Sequence, residues 1–120
     1  MYTFNFEKLE VWPKSRLLSK KTYLLTQEFP ETERFGLIPQ LRRAVISVCS
    51  NIAEGSSRWS KKEKVHFYNV AFSSLMETMN QLILANDLKY IDNNELSEMR
   101  SGIHIISMIL INLTKSMKSD

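Results

Sequence analysis

A chain of 120 residues with 43% hydrophobic and 24% charged side chains is long enough to bury a core without metal or disulfide staples, and too apolar to be disordered. Its single cysteine, Cys49, excludes an intramolecular disulfide, and its richest apolar run, residues 103–113, is broken by His104, Ser107 and Asn112, which excludes a bilayer-spanning helix. The net charge of +3 tolerates an anionic partner without demanding one. With no basic, apolar leader at the N-terminus, the expected location is a reducing cytoplasm.

In chain order, Pro13 suits the first turn of a helix, where its missing N–H has no intrahelical partner, and Pro30 forces the preceding residue out of the helical region. The first helix is therefore predicted over about 11–29, with Val11, Leu18, Leu25 and Phe29 on one face and Leu17 and Leu24 widening it. Residues 31–36 form a polar connection. Pro39 opens a second helix over about 39–54, with Gly55 as its C-terminal cap. On it, Leu41, Val45, Val48 and Ile52 form an apolar stripe, while Gln40, Arg43, Ser47, Asn51 and Glu54 form a polar one.

Ser60 followed by Glu63 is a capping box, and Asp92 followed by Glu95 is another. They open a third helix over about 61–88 and a fourth over about 93–117. Tyr68, Phe72, Leu75, Met79 and Leu82 carry the seam of the third. In the fourth, Leu96, Met99, Ile103, Ile106, Leu110, Leu113 and Met117 alternate spacings of three and four, and Ile105, Ile109 and Asn112 make a flanking stripe that one antiparallel neighbour would not cover. The expectation is an all-α protein, an antiparallel up-down-up-down four-helix bundle forming one domain over 1–120, with a second copy against the surplus apolar surface.

The run Gln40-Leu41-Arg42-Arg43-Ala44, the run Ser50-Asn51-Ile52-Ala53-Glu54-Gly55, and Arg58, Ser60 and Glu63 resemble the signature of a family first noticed as proteins encoded in intervening sequences of bacterial 23S rRNA genes. Leu9-Glu10-Val11-Trp12, Phe29-Pro30, Phe35-Gly36-Leu37, and Ser74-Leu75 with Glu77, Gln81-Leu82, Ala85 and Leu88 extend the resemblance on both sides. It implies a bundle assembled into a ring, a homopentamer, and kinship with accessory proteins of diversity-generating retroelements, basic barrels that bind nucleic acid and a reverse transcriptase. It implies neither enzymatic activity nor a cofactor. Three positions depart from the usual pattern. Cys49 stands where proline is common, Ile38-Pro39 where a hydroxyl residue often caps the helix, and Met79 where a carboxylate often lies.

Arg42, Arg43, Arg58, Lys61 and Lys62, with Lys64, are the candidates for phosphate contact, and Trp59 and Tyr68 for base stacking. The bland alternative is an ordinary solvated face. The polar stripe Gln40, Arg43, Ser47, Asn51 and Glu54 is expected to be a structural network, with Arg43 paired to Glu54 or Glu77, rather than a ligand site. Glu63-x-x-His66 has the spacing of a di-iron motif but lacks the second copy such a centre needs, so no metal is expected. Cys49 reads as core packing. Two functions follow: a homo-oligomer binding RNA or DNA through a basic surface, or a scaffold whose ring recruits a protein partner. The directions in which Arg42 and Arg58 point distinguish them.

Overall fold

A computed structural model describes residues 1–118; residues 119 and 120, the end of the expected domain, lie outside the described residues. The helices are α1 (Val11–Thr26), α2 (Leu37–Ser57), α3 (Lys61–Asp87) and α4 (Asn93–Lys118), with single 3-10 turns at Asn5–Lys8 and Glu31–Glu33 and no strand among the described residues. Each helix packs antiparallel to the next and α4 returns to α1, making a four-helix bundle 47 Å long. Its centre is filled by Leu41, Val45, Val48 and Ile52 of α2 with Tyr68, Leu75 and Leu82 of α3 and Ile103, Ile106 and Leu110 of α4, all buried.

The first helix stops three residues early, at Thr26 rather than Phe29. Pro30 cannot follow a helical residue without strain, so the chain tightens beforehand: Glu28 N–H donates to the Leu25 carbonyl at 3.2 Å and Phe29 N–H to the Thr26 carbonyl at 3.1 Å. The buried face of α1 also differs from expectation. Leu17 and Leu24 are 51% and 54% exposed, and the face turned inward carries Ser15, Ser19, Thr22 and Thr26 beside Val11 and Leu18. These hydroxyls are satisfied within the helix, for Ser15, Thr22 and Thr26 each donate at 2.8 Å to the carbonyl four residues back. A small side chain so satisfied is buried without an orphaned polar group and lets two helices come close.

The start of α2 is capped from upstream. Leu37 N–H donates to Glu33 Oε1 at 3.0 Å, which supplies the cap missing from Ile38-Pro39. Gly36 leaves room beside it for the Glu33 carboxylate, which a Cβ there would push aside. The other Glu33 oxygen accepts the Tyr90 hydroxyl at 2.8 Å and ties the α1–α2 connection to the α3–α4 connection. Both bonds hold the Glu33 carboxyl below its ordinary range, and the one between Tyr90 and Glu33 pushes the Tyr90 phenol up.

Gly55 is not a cap. It lies inside α2, which runs on to Ser57, and it is buried where α3 crosses. A Cβ at Gly55 would stand 2.7 Å from the Tyr68 ring and 3.1 Å from Phe67 Cβ. The glycine is there for close approach, not for an unusual backbone angle. The expected proline position, Cys49, sits in an unbroken helix with its thiol 3.4 Å from Ser19 Oγ.

Two outcomes follow. Gly55→Ala should lower stability by about 1–3 kcal/mol through overpacking against the Tyr68 ring, despite alanine's better helix propensity, as read by chemical denaturation. Tyr90→Phe should lower the melting temperature at neutral pH. The Glu33 contribution is present above the ordinary carboxyl pKa of 4.5 and lost as pH falls through the lowered folded value, and that of Tyr90 is present below 10.0 and lost as pH rises through its raised value. The difference between wild type and variant should therefore shrink at both extremes in a pH series of melts.

Candidate nucleic-acid interface

The candidate cations do not form one face. Arg42 and Arg43 lie in the first turns of α2 and Arg58 just beyond its end, so about 24 Å of helix separates Arg42 from Arg58. Arg42 is a structural residue. Its Nε donates to Thr26 Oγ1 at 3.0 Å, one Nη to the Tyr23 carbonyl at 3.4 Å, and its guanidinium lies 4.5 Å from the centroid of the Tyr23 ring. It thereby satisfies carbonyl and hydroxyl groups at the C-terminal end of α1, where a cation also meets the favourable end of the helix dipole.

The polar stripe is a network only in part. Ser47 and Ser74 hydroxyls meet at 2.8 Å across α2 and α3, and Asn51 Nδ2 donates to Ser47 Oγ at 3.0 Å. One end of the stripe holds Gln40, whose Oε1 accepts from Gln81 Nε2 at 3.4 Å. Arg43 takes no part: it is exposed and makes no hydrogen bond or ion pair among the described residues. Glu54 is too far along the axis to reach it and is turned to Arg58 at 3.8 Å, whereas Glu77 accepts from Gln81 at 3.3 Å. Gln81, which the sequence offers only as part of the family resemblance, is buried and bonds from α3 to Gln40 of α2 as well as to Glu77.

The opposite end of α2 is built differently. Arg58 occupies the C-cap position, and its guanidinium lies 4.5 Å from the Phe67 ring centroid. Lys64 reaches back from α3 and donates to the Gly55 and Ser56 carbonyls at 3.4 and 2.9 Å, closing the turn. Ser60 accepts the Glu63 N–H at 3.1 Å and starts α3. Between these two pinned ends stands Trp59, 98% exposed, followed by Lys61 and Lys62 on the surface of the first turn. Tyr68, the second expected stacking residue, is 2% exposed under Gly55, where burial pushes its phenol up; its ring belongs to the core and cannot meet a base.

Charge follows the same division. The half of the bundle holding the α2–α3 turn also holds the start of α1 and the end of α4. It carries Lys8, Lys14, Arg16, Arg58, Lys61, Lys62, Lys64, Lys115 and Lys118 against Glu7, Glu10, Glu54 and Glu63 among the described residues. In the other half acids and bases nearly cancel. A net charge of +3 spread evenly would make a weak field, but gathered at one end it makes a cationic one.

A second surface lies along the side. Leu17 of α1 faces Gly102 and Ile105 of α4 in one open hollow, Leu24 faces Glu95, Glu98 and Met99 in the next, and Lys21 and Glu98, 3.1 Å apart, line both. The Ile105 stripe expected to lack a neighbour is indeed exposed at Ile105, and Ile109 is half-buried. Elsewhere, Glu63 and His66 are exposed, and no group of three His, Cys, Asp or Glu side chains is placed to hold a metal among the described residues. Burial pushes the half-buried Cys49 thiol up, away from a reactive thiolate. No helix among the described residues is long and apolar enough to cross a membrane.

The family model described as 23S rRNA-intervening sequence protein matches residues 7–112. A solved structure from Bacteroides thetaiotaomicron VPI-5482, described as a protein with unknown function from the S23 ribosomal protein family, superposes with a TM-score of 0.79 at 23% identity, covering 88% of this chain and 98% of that one. That likeness shows the fold. No curated protein matches the chain.

The separation of the arginines has a measurable outcome. Arg42→Gln should lower thermal stability, because the Thr26 and Tyr23 oxygens lose their cationic donor, and should leave nucleic-acid affinity close to wild type. Lys62→Glu should do the reverse. Equal losses of nucleic-acid affinity in both variants, measured by anisotropy on folded protein, would restore a single continuous cationic face.

Proposed function

The chain belongs to the 23S rRNA-intervening sequence protein family, and from that premise we propose that it is a non-enzymatic, self-associating bundle of the cytoplasm that holds RNA or DNA by its phosphates. The observation that carries this reading is the gathering of cations at the end of the bundle formed by the α2–α3 turn, with Lys61 and Lys62 exposed there. Arg58 adds a guanidinium fixed by Glu54 and Phe67. Phosphate contact needs positive charge held at a surface rather than a shaped pocket, and it carries little sequence preference. The sequence resemblance to basic accessory proteins of diversity-generating retroelements points the same way, as does the expectation of a pentameric ring, in which each copy repeats the same patch.

The second reading is a scaffold that recruits a protein, and the α1/α4 groove is the observation that favours it, since Leu17, Leu24 and Ile105 expose apolar surface along one side of the bundle. The two readings separate in one titration. With Arg58, Lys61 and Lys62 each meeting a phosphate, the logarithm of the binding constant should fall with the logarithm of salt at a slope of about −2 to −3 per protomer. Labelled structured RNA, duplex and single strand, followed by fluorescence anisotropy at several salt concentrations, measure it. An intact oligomer that binds none of them at low salt would leave the scaffold reading standing alone.

A further inference from the structure

We propose that Trp59 is a stacking platform for an unpaired base, so that the cationic end takes single-stranded nucleic acid in preference to duplex. The inference rests on the phosphate-binding reading above and names the form of nucleic acid that this end would select.

Three observations converge on it. First, Trp59 is 98% exposed, and no ring contact within the chain involves it among the described residues. By contrast Trp12, the other indole, is half-buried and packed edge-on against Phe6 with centroids 5.0 Å apart. Second, the turn presenting Trp59 is held on both sides. Arg58 N–H donates to the Gly55 carbonyl at 3.2 Å, Lys64 N–H to the Ser60 carbonyl at 3.0 Å, and the Lys64 ammonium spans the turn to the Ser56 carbonyl at 2.9 Å. Arg58 and Ser60 are both extended, so Trp59 projects from a short taut link and not from a loose loop. Little conformational freedom is then lost when a flat partner settles on the ring.

Third, the surroundings select among flat or apolar partners. Ser56, Ser57 and Ser60 and the cations Arg58, Lys61 and Lys62 flank the indole, with no other exposed large apolar side chain in the turn. A bilayer or an apolar protein groove would gain one buried ring here while desolvating its charged neighbours. An unpaired base offers a π-face of matching size and a phosphate on each side for the cations. Bases inside a duplex have their faces already stacked, and only the charge term remains.

The test uses the full chain carrying Trp12→Phe, so that Trp59 is the sole indole, titrated with an oligothymidylate, with a duplex of equal length, and with vesicles of phosphatidylserine and phosphatidylcholine. The single strand should quench Trp59 fluorescence, whereas the duplex should bind with little quenching. Trp59→Ala should weaken single-strand binding roughly tenfold to a hundredfold, with duplex affinity and the salt slope unchanged, and Trp59→Phe should recover part of the loss. Equal weakening of both ligands by Trp59→Ala, or single-strand binding without quenching, would overturn the stacking role and leave phosphate binding intact. A blue shift with vesicles and no response to either nucleic acid would overturn both readings in favour of an anionic lipid surface.

Discussion

The close approach of α2 and α3 is the constraint on which the rest of the molecule depends. It is set by small residues at the crossing: Gly55 beneath the Tyr68 ring, and Ser47 against Ser74 at 2.8 Å. Helices that come so close can be joined by a very short link, and only three residues separate the last residue of α2 from the first of α3. The link is extended on both sides of its middle residue, Trp59, whose side chain stands in solvent. The exposed indole, the capping lysine and the terminal arginine are consequences of one packing choice made a turn earlier.

A second consequence concerns how the cations divide their work. A helix end leaves carbonyls or amides unsatisfied, and cations are drawn to the carbonyl ends. Arg42 answers the end of α1 and Lys64 the end of α2, each with direct donation to backbone oxygen. Both are committed to the fold. Lys62 lies at the amide end of α3, where the dipole disfavours a cation, and Arg43 is exposed without a partner among the described residues. Charges that the fold does not use, or tolerates at some cost, are where an external anion has most to offer.

The fold class was legible because its signals are local and redundant. The capping boxes at Ser60 and Asp92 place two helix starts, and the three-four alternation through Met99, Ile103, Ile106 and Leu110 places a seam; both depend only on residues a turn apart. Failures occurred where a residue's role depends on what crosses it. Leu17 and Leu24 outrank Ser15 and Thr22 on any hydrophobicity scale, yet the serine and threonine are inside, because back-bonding removes their polar penalty and close packing rewards small size. Gly55 looked like a cap from its position after a helical run, and Tyr68 like a stacking residue from its place beside basic residues; each is explained by the other. The Arg42-Arg43 pair illustrates the same limit. Neighbours in sequence, they diverge by about 100° around the helix, so one meets α1 and the other meets water.

The two surfaces left over are disposed so that neither blocks the other. The apolar groove of Leu17, Leu24 and Ile105 runs along the side of the bundle, whereas the Trp59 turn stands at its tip. Copies joined side by side through lateral faces in a closed ring share one axial direction, since rotation about an axis parallel to the helices preserves which end is up. Every cationic end then falls on the same rim. A patch that is modest in one copy becomes a continuous charged circumference, and binding gains from effective concentration without any new contact. In the proposed ring, lateral association and terminal binding would reinforce each other: burying the groove would concentrate the charge, and a long anion lying across several ends would favour the ring over its separated copies by mass action.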